Sequence, residues 1–220
     1  RRDLEGLRVL VTAGPTMERI DPVRYLTNDS SGKMGYAIAA AAQARGASVT
    51  LVSGPVHLTA PAGVSVVPVM STQNLYDATM THCASQDVII QAAAPADYRP
   101  AVMAPEKLKK QDGQPFVLTL VENPDVAKAV GEQKKPGQIL VGFAAETEHL
   151  LENAQKKLDK KHLDMIVAND VTQAGAGFGV DTNIVTLISH QGMKSLPLLS
   201  KTEVADRILD QVAVLRAQTH

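Results

Sequence analysis

The 220-residue sequence contains no tryptophan, and its other aromatic residues are three phenylalanines and four tyrosines. Proteins that bind single-stranded nucleic acid stack bases on such side chains, so the composition argues against that class. No charge of one sign dominates either, since 22 Lys and Arg oppose 23 Asp and Glu. We therefore expect no nucleic-acid or membrane partner, and any anion binding requires a local cluster of cations.

Cysteine and long apolar runs are equally scarce. The single cysteine, Cys83, excludes an internal disulfide and is typical of a cytoplasmic protein. The six histidines are scattered, so no Cys/His metal site is expected. No apolar run reaches the ~18 residues of a membrane span, and the basic N-terminal segment breaks too early for a signal peptide. Because the sequence does not begin with Met, we expect it to be either a piece of a longer polypeptide or a processed chain.

Short apolar runs alternate with segments of helical character over most of the chain. Runs typical of buried parallel strands occupy residues 7–13, 47–55, 63–70, 87–94, 138–146 and 164–170. Helices are predicted over residues 35–46, 72–84, 147–161 and 201–218. This alternation predicts the α/β class, with a Rossmann-like parallel sheet flanked by helices and a binding site at the carboxyl ends of its strands.

The rhythm breaks after residue 100. A lysine cluster, a predicted strand at 116–121 and an Asn-Pro turn form an irregular central arm. Residues 183–189 and 194–200 are typical of an antiparallel hairpin. We find no repeat and no low-complexity linker, and therefore expect a single domain over residues 1–220.

The mouth of the first predicted helix is unusually polar. Six residues there are polar or glycine: Asn28, Asp29, Ser30, Ser31, Gly32 and Gly35. A helix cap explains one of them, because Asn, Asp and Ser are ordinary N-cap residues. A helix start with small residues and spare backbone N–H groups is also a ready anion site, and the rest of the chain is needed to decide between the two interpretations.

A nicotinamide-dependent reductase is the first alternative to consider. The turn after the first strand has one glycine, Gly14, where the dinucleotide fingerprint needs three. The second strand ends in Ser53-Gly54-Pro55 instead of the acidic residue that holds the ribose. Residues 31–35, SGKMG, also lack the glycine spacing and the Ser or Thr of a P-loop. These departures disfavour both assignments.

A set of motifs occurs in an order that resembles one enzyme family. The motifs are VTAGPT (11–16), IDPVRYLTNDSSGKMG (20–35), AAAPADY (92–98), APEKLKK (104–110), ENPD (122–125), VGFAAET (141–147), KKLDKK (156–161) and DMIVANDV (164–171). They cover almost the whole chain and resemble phosphopantothenoylcysteine synthetase in its bacterial, CTP-dependent form. That form is usually the C-terminal half of a bifunctional protein whose other half is a flavin-dependent decarboxylase.

The resemblance implies a reaction, cofactors and partners. The family joins 4′-phosphopantothenate to L-cysteine, using CTP and Mg²⁺. The carboxylate attacks the α-phosphate to give an acyl-cytidylate and pyrophosphate, and the cysteine amine then displaces CMP. Mg²⁺ is expected to arrive with the nucleotide, held mostly by phosphate and water. Family members are homodimers whose site borrows residues from the neighbour, and the central arm and C-terminal hairpin are our candidates for that interface.

Two residues carry the catalytic roles that the resemblance implies. Asn28 would hold the acyl intermediate, and its side-chain amide offers both donors and acceptors for that purpose. Lys107 would stabilise the charge that develops at the α-phosphorus. The alternatives are a helix cap for Asn28 and a solvated lysine run for Lys107, with Lys109 and Lys110 as members of that run. The arm is expected to be a flap that orders on nucleotide binding.

The resemblance also implies two binding sets. The CTP-binding set is Gln91, Ala92, Ala93, Asp97, Lys107, Asn123, Pro124, Asp125, Val126, Phe143, Lys157 and Lys161. The phosphate- and substrate-binding set is Gly14, Arg24, Ser30, Ser31, Gly32, Ser53, Gly54 and Ala94. Asp97 can accept a hydrogen bond from cytosine N4, which gives a reason for choosing CTP over UTP. Members of the family often have His where this chain has Asp29, so no proton transfer is assigned to that position.

Three functions thus remain in view. They are the CTP-dependent ligase, a nicotinamide-dependent reductase and a non-catalytic nucleotide-sensing module. A sensing module would not need Asn28 and Lys107 together with a site for an amine acceptor.

Overall fold

The computed structural model describes residues 1–146, 149–171 and 173–220. Its helices are α1 (Lys33–Ala44), α2 (Thr72–Cys83), α3 (Val126–Glu132), α4 (Leu150–Lys160) and α5 (Lys201–Thr219). Its strands are β1 (Arg8–Ala13), β2 (Met17–Arg19), β3 (Tyr25–Thr27), β4 (Ser48–Ser53), β5 (Ser65–Pro68), β6 (Val88–Gln91), β7 (Tyr98–Pro100), β8 (Leu120–Glu122), β9 (Ile139–Glu146), β10 (Met165–Asp170), β11 (Thr182–Asn183), β12 (Val185–Ser189), β13 (Gly192–Ser195) and β14 (Leu199–Ser200).

One eight-stranded sheet organises the chain, with the order β13-β12-β10-β9-β6-β1-β4-β5. The pairs from β10 through to β5 are parallel, and β12 and β13 add antiparallel strands at one edge. Central strands read as continuous apolar runs because helices cover both faces of the sheet. The α/β class predicted from the sequence is therefore confirmed.

The two faces of the sheet carry different helices. Helices α1 and α5 pack together on one face, and α2, α3 and α4 cover the other. Helix α1 lies unusually close to β1, because a Cβ added to Gly35 would sit 2.4 Å from the Cβ of Ala13. The absence of a side chain at this position brings the start of α1 directly over the carboxyl end of β1.

Most predicted elements are present, with several corrections. The third predicted strand becomes β5, which is a largely exposed edge strand and not a buried one, because β4 is its only neighbour in the sheet. The strand predicted at residues 116–121 begins later in the structure and is shorter; it is β8, which pairs with β7. Helix α3 and the β2–β3 ribbon were not predicted. Residues 147 and 148 of the fourth predicted helix lie outside the described residues.

The central arm and the C-terminal hairpin are both present. Residues 101–119 contain no helix or strand and are exposed except at three half-buried positions, Ala104, Leu108 and Leu118. A hairpin is present, but its second strand is β13 at residues 192–195 and not 194–200, because residues 199–200 form β14 and pair with β11. The use of this hairpin in dimerisation remains a prediction. Within the described parts of the chain, no helix combines the length and apolarity needed to cross a membrane.

Candidate functional site

A cavity of about 520 Å³ opens at the carboxyl ends of the parallel strands. The topology favours this position. Strands β1 and β6 are neighbours in the sheet, but the next strand of the sheet after β1 lies on one side of the pair and the next after β6 lies on the other. Ligands of parallel α/β sheets bind at such a point of divergence. Many residues predicted from the sequence line it: Asn28, Ser30, Ser31, Gly32, Gln91, Ala92, Ala93, Ala94, Asp97, Pro124, Asp125, Val126, Phe143, Lys157 and Lys161. Motifs that are more than a hundred residues apart in sequence therefore meet in one cavity.

Six predicted residues are not among those that line the cavity: Gly14, Arg24, Ser53, Gly54, Lys107 and Asn123. Gly54 instead allows two chain segments to cross, since a Cβ there would lie 1.7 Å from the carbonyl oxygen of Pro15. Gly14 adopts φ +81° at the end of β1, a conformation that glycine readily accepts. Ser53 is buried and shares a 2.8 Å hydrogen bond with the Tyr36 hydroxyl. These three residues therefore have structural roles at the ends of β1 and β4.

Asn123 belongs to a buried polar network below residues 94–97. Its amide donates to Glu18 Oε1 at 3.1 Å and to the Ala96 carbonyl oxygen at 2.8 Å. Thr72 donates to the same carbonyl from its hydroxyl at 3.1 Å, and its backbone N–H donates to Glu18 at 2.9 Å. Thr16 accepts from the Ala96 N–H at 2.9 Å. The network therefore fixes the loop that presents Asp97 to the cavity.

The start of α1 forms one end of the cavity. Gly32 precedes the helix with φ +78° and has no side chain to cap it, while Ser31 Oγ accepts the Lys33 N–H at 3.3 Å and leaves the following N–H groups of the first turn open. Asn28 donates from Nδ2 to the Pro95 carbonyl oxygen at 3.0 Å. Ser31 donates from its hydroxyl to the Phe178 carbonyl oxygen at 2.5 Å. An open helix start has partial positive charge and unpaired N–H groups, so this end favours an anion.

Two further lysines lie at this end of the cavity and were not predicted as site residues from the sequence. Lys33 Nζ contacts Asp181 Oδ1 at 2.9 Å and the Gly179 carbonyl oxygen at 3.3 Å. Lys201 is buried and donates to the Gly177 carbonyl oxygen at 3.0 Å and to Asn183 Oδ1. Both lysines line the cavity. Lys201 follows the Ser200 cap of α5, where a lysine resembles an ordinary surface residue, so the sequence carried no signal for it.

Burial lowers the pKa of Lys201 to about 8, with a further contribution from the charge of Lys33 and a smaller opposing one from Asp181. Among the described residues, its hydrogen-bond partners are neutral oxygens and no carboxylate forms an ion pair with it. A buried cation without a direct counter-ion is costly. An anionic ligand in the cavity would supply the missing charge.

Two buried amide side chains at the carboxyl ends of the strands each have one polar atom without a hydrogen-bond partner among the described residues. Gln91 Nε2 and Asn169 Oδ1 are buried without a hydrogen-bond partner among the described residues. Gln91 ends β6, Asn169 lies near the end of β10, and β9 runs between them. Unpaired buried polar atoms are rare in folded proteins. Here both residues line the cavity, so a donor and an acceptor are available to a ligand.

The opposite end of the cavity is formed by α3 and by lysines from α4 and its C-terminal end. Asp125 caps α3 by accepting the Lys128 N–H at 3.1 Å, and it pairs with Lys161 at 3.3 Å. Lys157 and the half-buried ring of Phe143 line the same region. The cavity therefore has cations at both ends, and the wall between them combines apolar residues with the buried amides of Gln91 and Asn169.

The residues described here do not provide a protein-ligated metal centre, because no group of three or more His, Cys, Asp and Glu side chains lies together. The acidic residues that line the cavity are Asp29, Asp97 and Asp125, and Asp125 is already paired with Lys161. Magnesium held by nucleotide phosphates and water therefore remains a prediction.

A parallel α/β sheet whose carboxyl ends combine an open helix start, buried amides and clustered lysines is typical of α/β domains that bind phosphate-bearing ligands. Comparison with known proteins narrows the class. The chain belongs to the family described as the DNA/pantothenate metabolism flavoprotein C-terminal domain, whose model matches residues 4–215. The resemblance identified from the motifs is thereby confirmed at the level of the family.

Curated relatives share this region. The chain is 49% identical over 215 residues to the coenzyme A biosynthesis bifunctional protein CoaBC of Vibrio vulnificus strain YJ016, covering 97% of this chain and 54% of the relative. It is 50% identical over 218 residues to the CoaBC protein of Bacillus subtilis strain 168, covering 98% and 53%. The chain thus spans about half the length of the curated relatives it matches.

Solved structures give the same result. A crystal structure of the C-terminal domain of CoaBC has a TM-score of 0.85 and 45% identity, covering 99% of this chain and all of that one. A Cab2 variant in complex with phosphopantothenate-cysteine has a TM-score of 0.78 at 15% identity, covering 99% and 89%. At that identity the second similarity concerns the fold alone.

Proposed function

We propose that this chain is a ligase that joins 4′-phosphopantothenate and L-cysteine, with CTP as the activating nucleotide and an acyl-cytidylate as the intermediate. The main support is the meeting of Asn28, the start of α1 and the β6–Asp97 loop in one cavity with cations at both ends. Family membership and the solved complex of a fold relative with phosphopantothenate-cysteine agree with this assignment.

The nucleotide base is assigned to the wall formed by residues 91–97, Phe143 and the start of α3. Asp97 is held at the cavity by the network below it, and its carboxylate can accept from cytosine N4. Gln91 and Asn169 offer their unpaired amide atoms to polar groups of the ligand. Lys157 and Lys161 supply positive charge on this side.

Phosphate groups are assigned to the start of α1. The open helix start attracts oxyanions, and the nearby ammonium groups of Lys33 and Lys201 strengthen this attraction. Ser31 would exchange its hydrogen bond to Phe178 for one to a phosphate oxygen. Asp29 lines this end of the cavity, but its side chain is exposed and its charge can be hydrated by solvent.

In the first half-reaction, a carboxylate oxygen of the substrate attacks the α-phosphorus of CTP, a new acyl–phosphate bond forms and pyrophosphate leaves. Lys107, brought over the cavity by closure of the arm, neutralises charge on the phosphate oxygens. Magnesium carried by the phosphates would also shield their charge. No step is assigned to a protein-bound metal, because the described residues do not form a site for one.

In the second half-reaction, the cysteine amine attacks the acyl carbon. The ammonium first gives one proton to solvent, so that the attacking group is the free amine; the carbon–nitrogen bond then forms, the acyl–phosphate bond breaks, CMP leaves and the nitrogen gives up a second proton to solvent as the amide forms. Asn28 donates to the acyl oxygen while charge develops there. In the absence of ligand, the same amide donates to the Pro95 carbonyl oxygen, which keeps it oriented along the cavity wall.

The decisive experiment measures pyrophosphate release. We expect release that requires both phosphopantothenate and CTP, followed by CMP release that requires cysteine. Release without phosphopantothenate, or equal rates with ATP, would contradict the proposed chemistry. Binding of CTP without any turnover would indicate the nucleotide-sensing module, and reduction of a substrate by a nicotinamide would indicate the reductase.

The domain is further proposed to work as a cytoplasmic homodimer and as the synthetase half of a chain that also carries a decarboxylase. Apolar side chains are exposed on the arm and on strands β3, β7 and β8, which supports a second copy as the partner. They are Tyr25, Tyr98, Val102, Phe116, Val117 and Leu120. Sedimentation should give a dimer mass, and replacing Val102 and Val117 by Asp should shift it to the monomer. A wild-type monomer at micromolar concentration would contradict this arrangement.

A further inference from the structure

A buried carboxylate contacts the arm directly beside Lys107. Asp21 has no exposed surface, although it lies in a loop between two short strands. Its Oδ1 accepts the backbone N–H groups of Val23 at 2.8 Å and Arg24 at 2.7 Å. Its Oδ2 accepts the backbone N–H of Leu108 at 3.1 Å and faces Arg24 Nη1 at 3.4 Å.

The two carboxylate oxygens therefore have separate tasks. Oδ1 closes a local turn, which an asparagine or serine side chain can also do. Oδ2 extends across more than eighty residues of sequence to the arm. Burial by itself raises the pKa of Asp21, but donors from Leu108, Val23 and Arg24 together with the Arg24 charge outweigh it, so the pKa is lowered. The group is an ionised acceptor at neutral pH.

Both backbone polar groups of Leu108, the N–H and the carbonyl oxygen, form hydrogen bonds to the loop that contains Asp21. Its N–H bonds Asp21, and its carbonyl oxygen accepts Arg24 Nη2 at 3.2 Å. The Ala104 N–H donates to the Ile20 carbonyl oxygen at 2.9 Å. Ala104 and Leu108 are two of the three half-buried residues in an otherwise exposed segment. Lys107 lies between these two attachment points and is itself exposed.

We propose that Asp21 is a positioning residue for Lys107, fixing the backbone of Leu108 so that the lysine is presented in a restricted range of directions. This inference rests on the proposed function, in which Lys107 acts on the nucleotide phosphates. A charged group that is misplaced by about 1 Å can lose roughly 100-fold in rate, so one backbone attachment is sufficient to matter.

Asp21→Asn tests the proposal sharply. The amide oxygen keeps the turn to Val23 and Arg24, while the NH₂ group replaces the acceptor that Leu108 needs. We expect amide hydrogen exchange at Leu108 to accelerate and pyrophosphate release to fall roughly 10- to 100-fold. The matched control is Asp87→Asn, which removes a carboxylate that accepts the Arg8 N–H at 2.8 Å at the other end of the sheet. That control should leave the release rate unchanged.

A double-mutant cycle with Lys107→Gln distinguishes positioning from general destabilisation. If Asp21 acts through Lys107, Asp21→Asn lowers the rate in wild-type protein but adds little once Lys107 is gone. An equal loss in both backgrounds would overturn the proposal and leave Asp21 a structural residue. Pyrophosphate release at the wild-type rate by Asp21→Asn would also overturn the proposal.

Failure of the proposed function has a different signature. If the wild-type protein releases no pyrophosphate from CTP, or if Lys107→Gln releases it normally, the role of Lys107 fails and the positioning role falls with it. If Lys107→Gln is impaired and Asp21→Asn is not, only the positioning role fails. Thermal unfolding of each variant verifies that the compared proteins are folded.

Discussion

The wall of the cavity and the arm hold their predicted functional residues in different ways. Asp97 is presented by a loop whose backbone bonds Thr16, Thr72 and Asn123, all anchored in or beside the sheet. Lys107 lies in an exposed segment whose backbone is hydrogen-bonded to the rest of the chain at Ala104 and Leu108. The wall is therefore bonded from below before a ligand arrives, whereas the arm is attached on either side of Lys107 and is otherwise largely exposed.

This difference suggests a division of labour. Recognition of a base requires fixed donors and acceptors, because hydrogen bonds weaken steeply with poor geometry. Charge neutralisation during phosphoryl chemistry is needed when the transition state forms, and a closing segment can deliver it then while excluding water. Variants of the two regions should consequently fail in different steps.

The largest effect is expected in the arm. Lys107→Gln keeps the length of the side chain and removes its charge, so formation of the acyl-cytidylate should fall about 100-fold. Single-turnover pyrophosphate release measures this step. Lys110→Gln, from the exposed part of the same lysine run, is the matched control. If both variants release pyrophosphate at the wild-type rate, the run is only a solvated surface.

The second variant alters the end of the cavity at α1. Asn28→Asp is nearly isosteric, but its carboxylate faces the carbonyl oxygen of Pro95 and cannot donate to an acyl oxygen. Amide formation should fall more than activation, by roughly tenfold or more, so that acyl-cytidylate accumulates. Labelled phosphopantothenate, followed with and without cysteine, reports the two steps separately. Product formation at the wild-type rate would return Asn28 to the role of a loop residue.

A smaller effect is expected in the fixed wall. Asp97→Asn can present an amide donor to cytosine N4 in place of an acceptor, so the preference for CTP over UTP should weaken by roughly tenfold. The ratio of kcat/KM for the two nucleotides is the measurement. Because the loop is held from below by Asn123, thermal stability should change little. An unaltered ratio would place base recognition elsewhere.

The smallest effect concerns Lys201 and pH. Its pKa is about 8 in the folded protein and near 10.5 when unfolded, so between these values the unfolded chain binds more protons. The contribution of Lys201 to the free energy of unfolding therefore increases as pH rises through this window. Denaturation at about pH 7 and about pH 9.5 should show this increase in wild type and not in Lys201→Met. Lys194→Met, on the exposed strand β13, should retain it.

Much of the fold could be predicted because its signals are local. Apolar runs such as residues 7–13 and 164–170 specify buried strands, and Gly46 marks the end of α1. The edge position of β5 could not be predicted, since a strand sequence does not reveal whether a neighbour covers it. Helix α3 has only seven residues, too few for a clear periodic pattern.

The site was predictable where its residues belong to motifs and not where they depend on tertiary contacts. Asn28 and Asp97 lie in recognisable stretches and both line the cavity. Lys201 contributes because folding places it there, and its sequence neighbourhood is that of an ordinary helix start. Asn169 lies in the motif DMIVANDV, but its role depends on the neighbouring strands and was not predicted. Asn123 shows the converse, since a motif residue assigned to the nucleotide instead supports the loop from below.

The polar network beneath residues 94–97 also has a calorimetric consequence. Its groups are already bonded to one another, so the wall loses little conformational entropy when a ligand binds. The arm leaves Phe116 60% and Val117 83% exposed, and covering such apolar surface lowers the heat capacity. Nucleotide binding should therefore lower the heat capacity by covering the apolar part of the wall, and closure of the arm should add to this change only where a second copy does not already cover its apolar residues; titrations at several temperatures would measure the sum without any label.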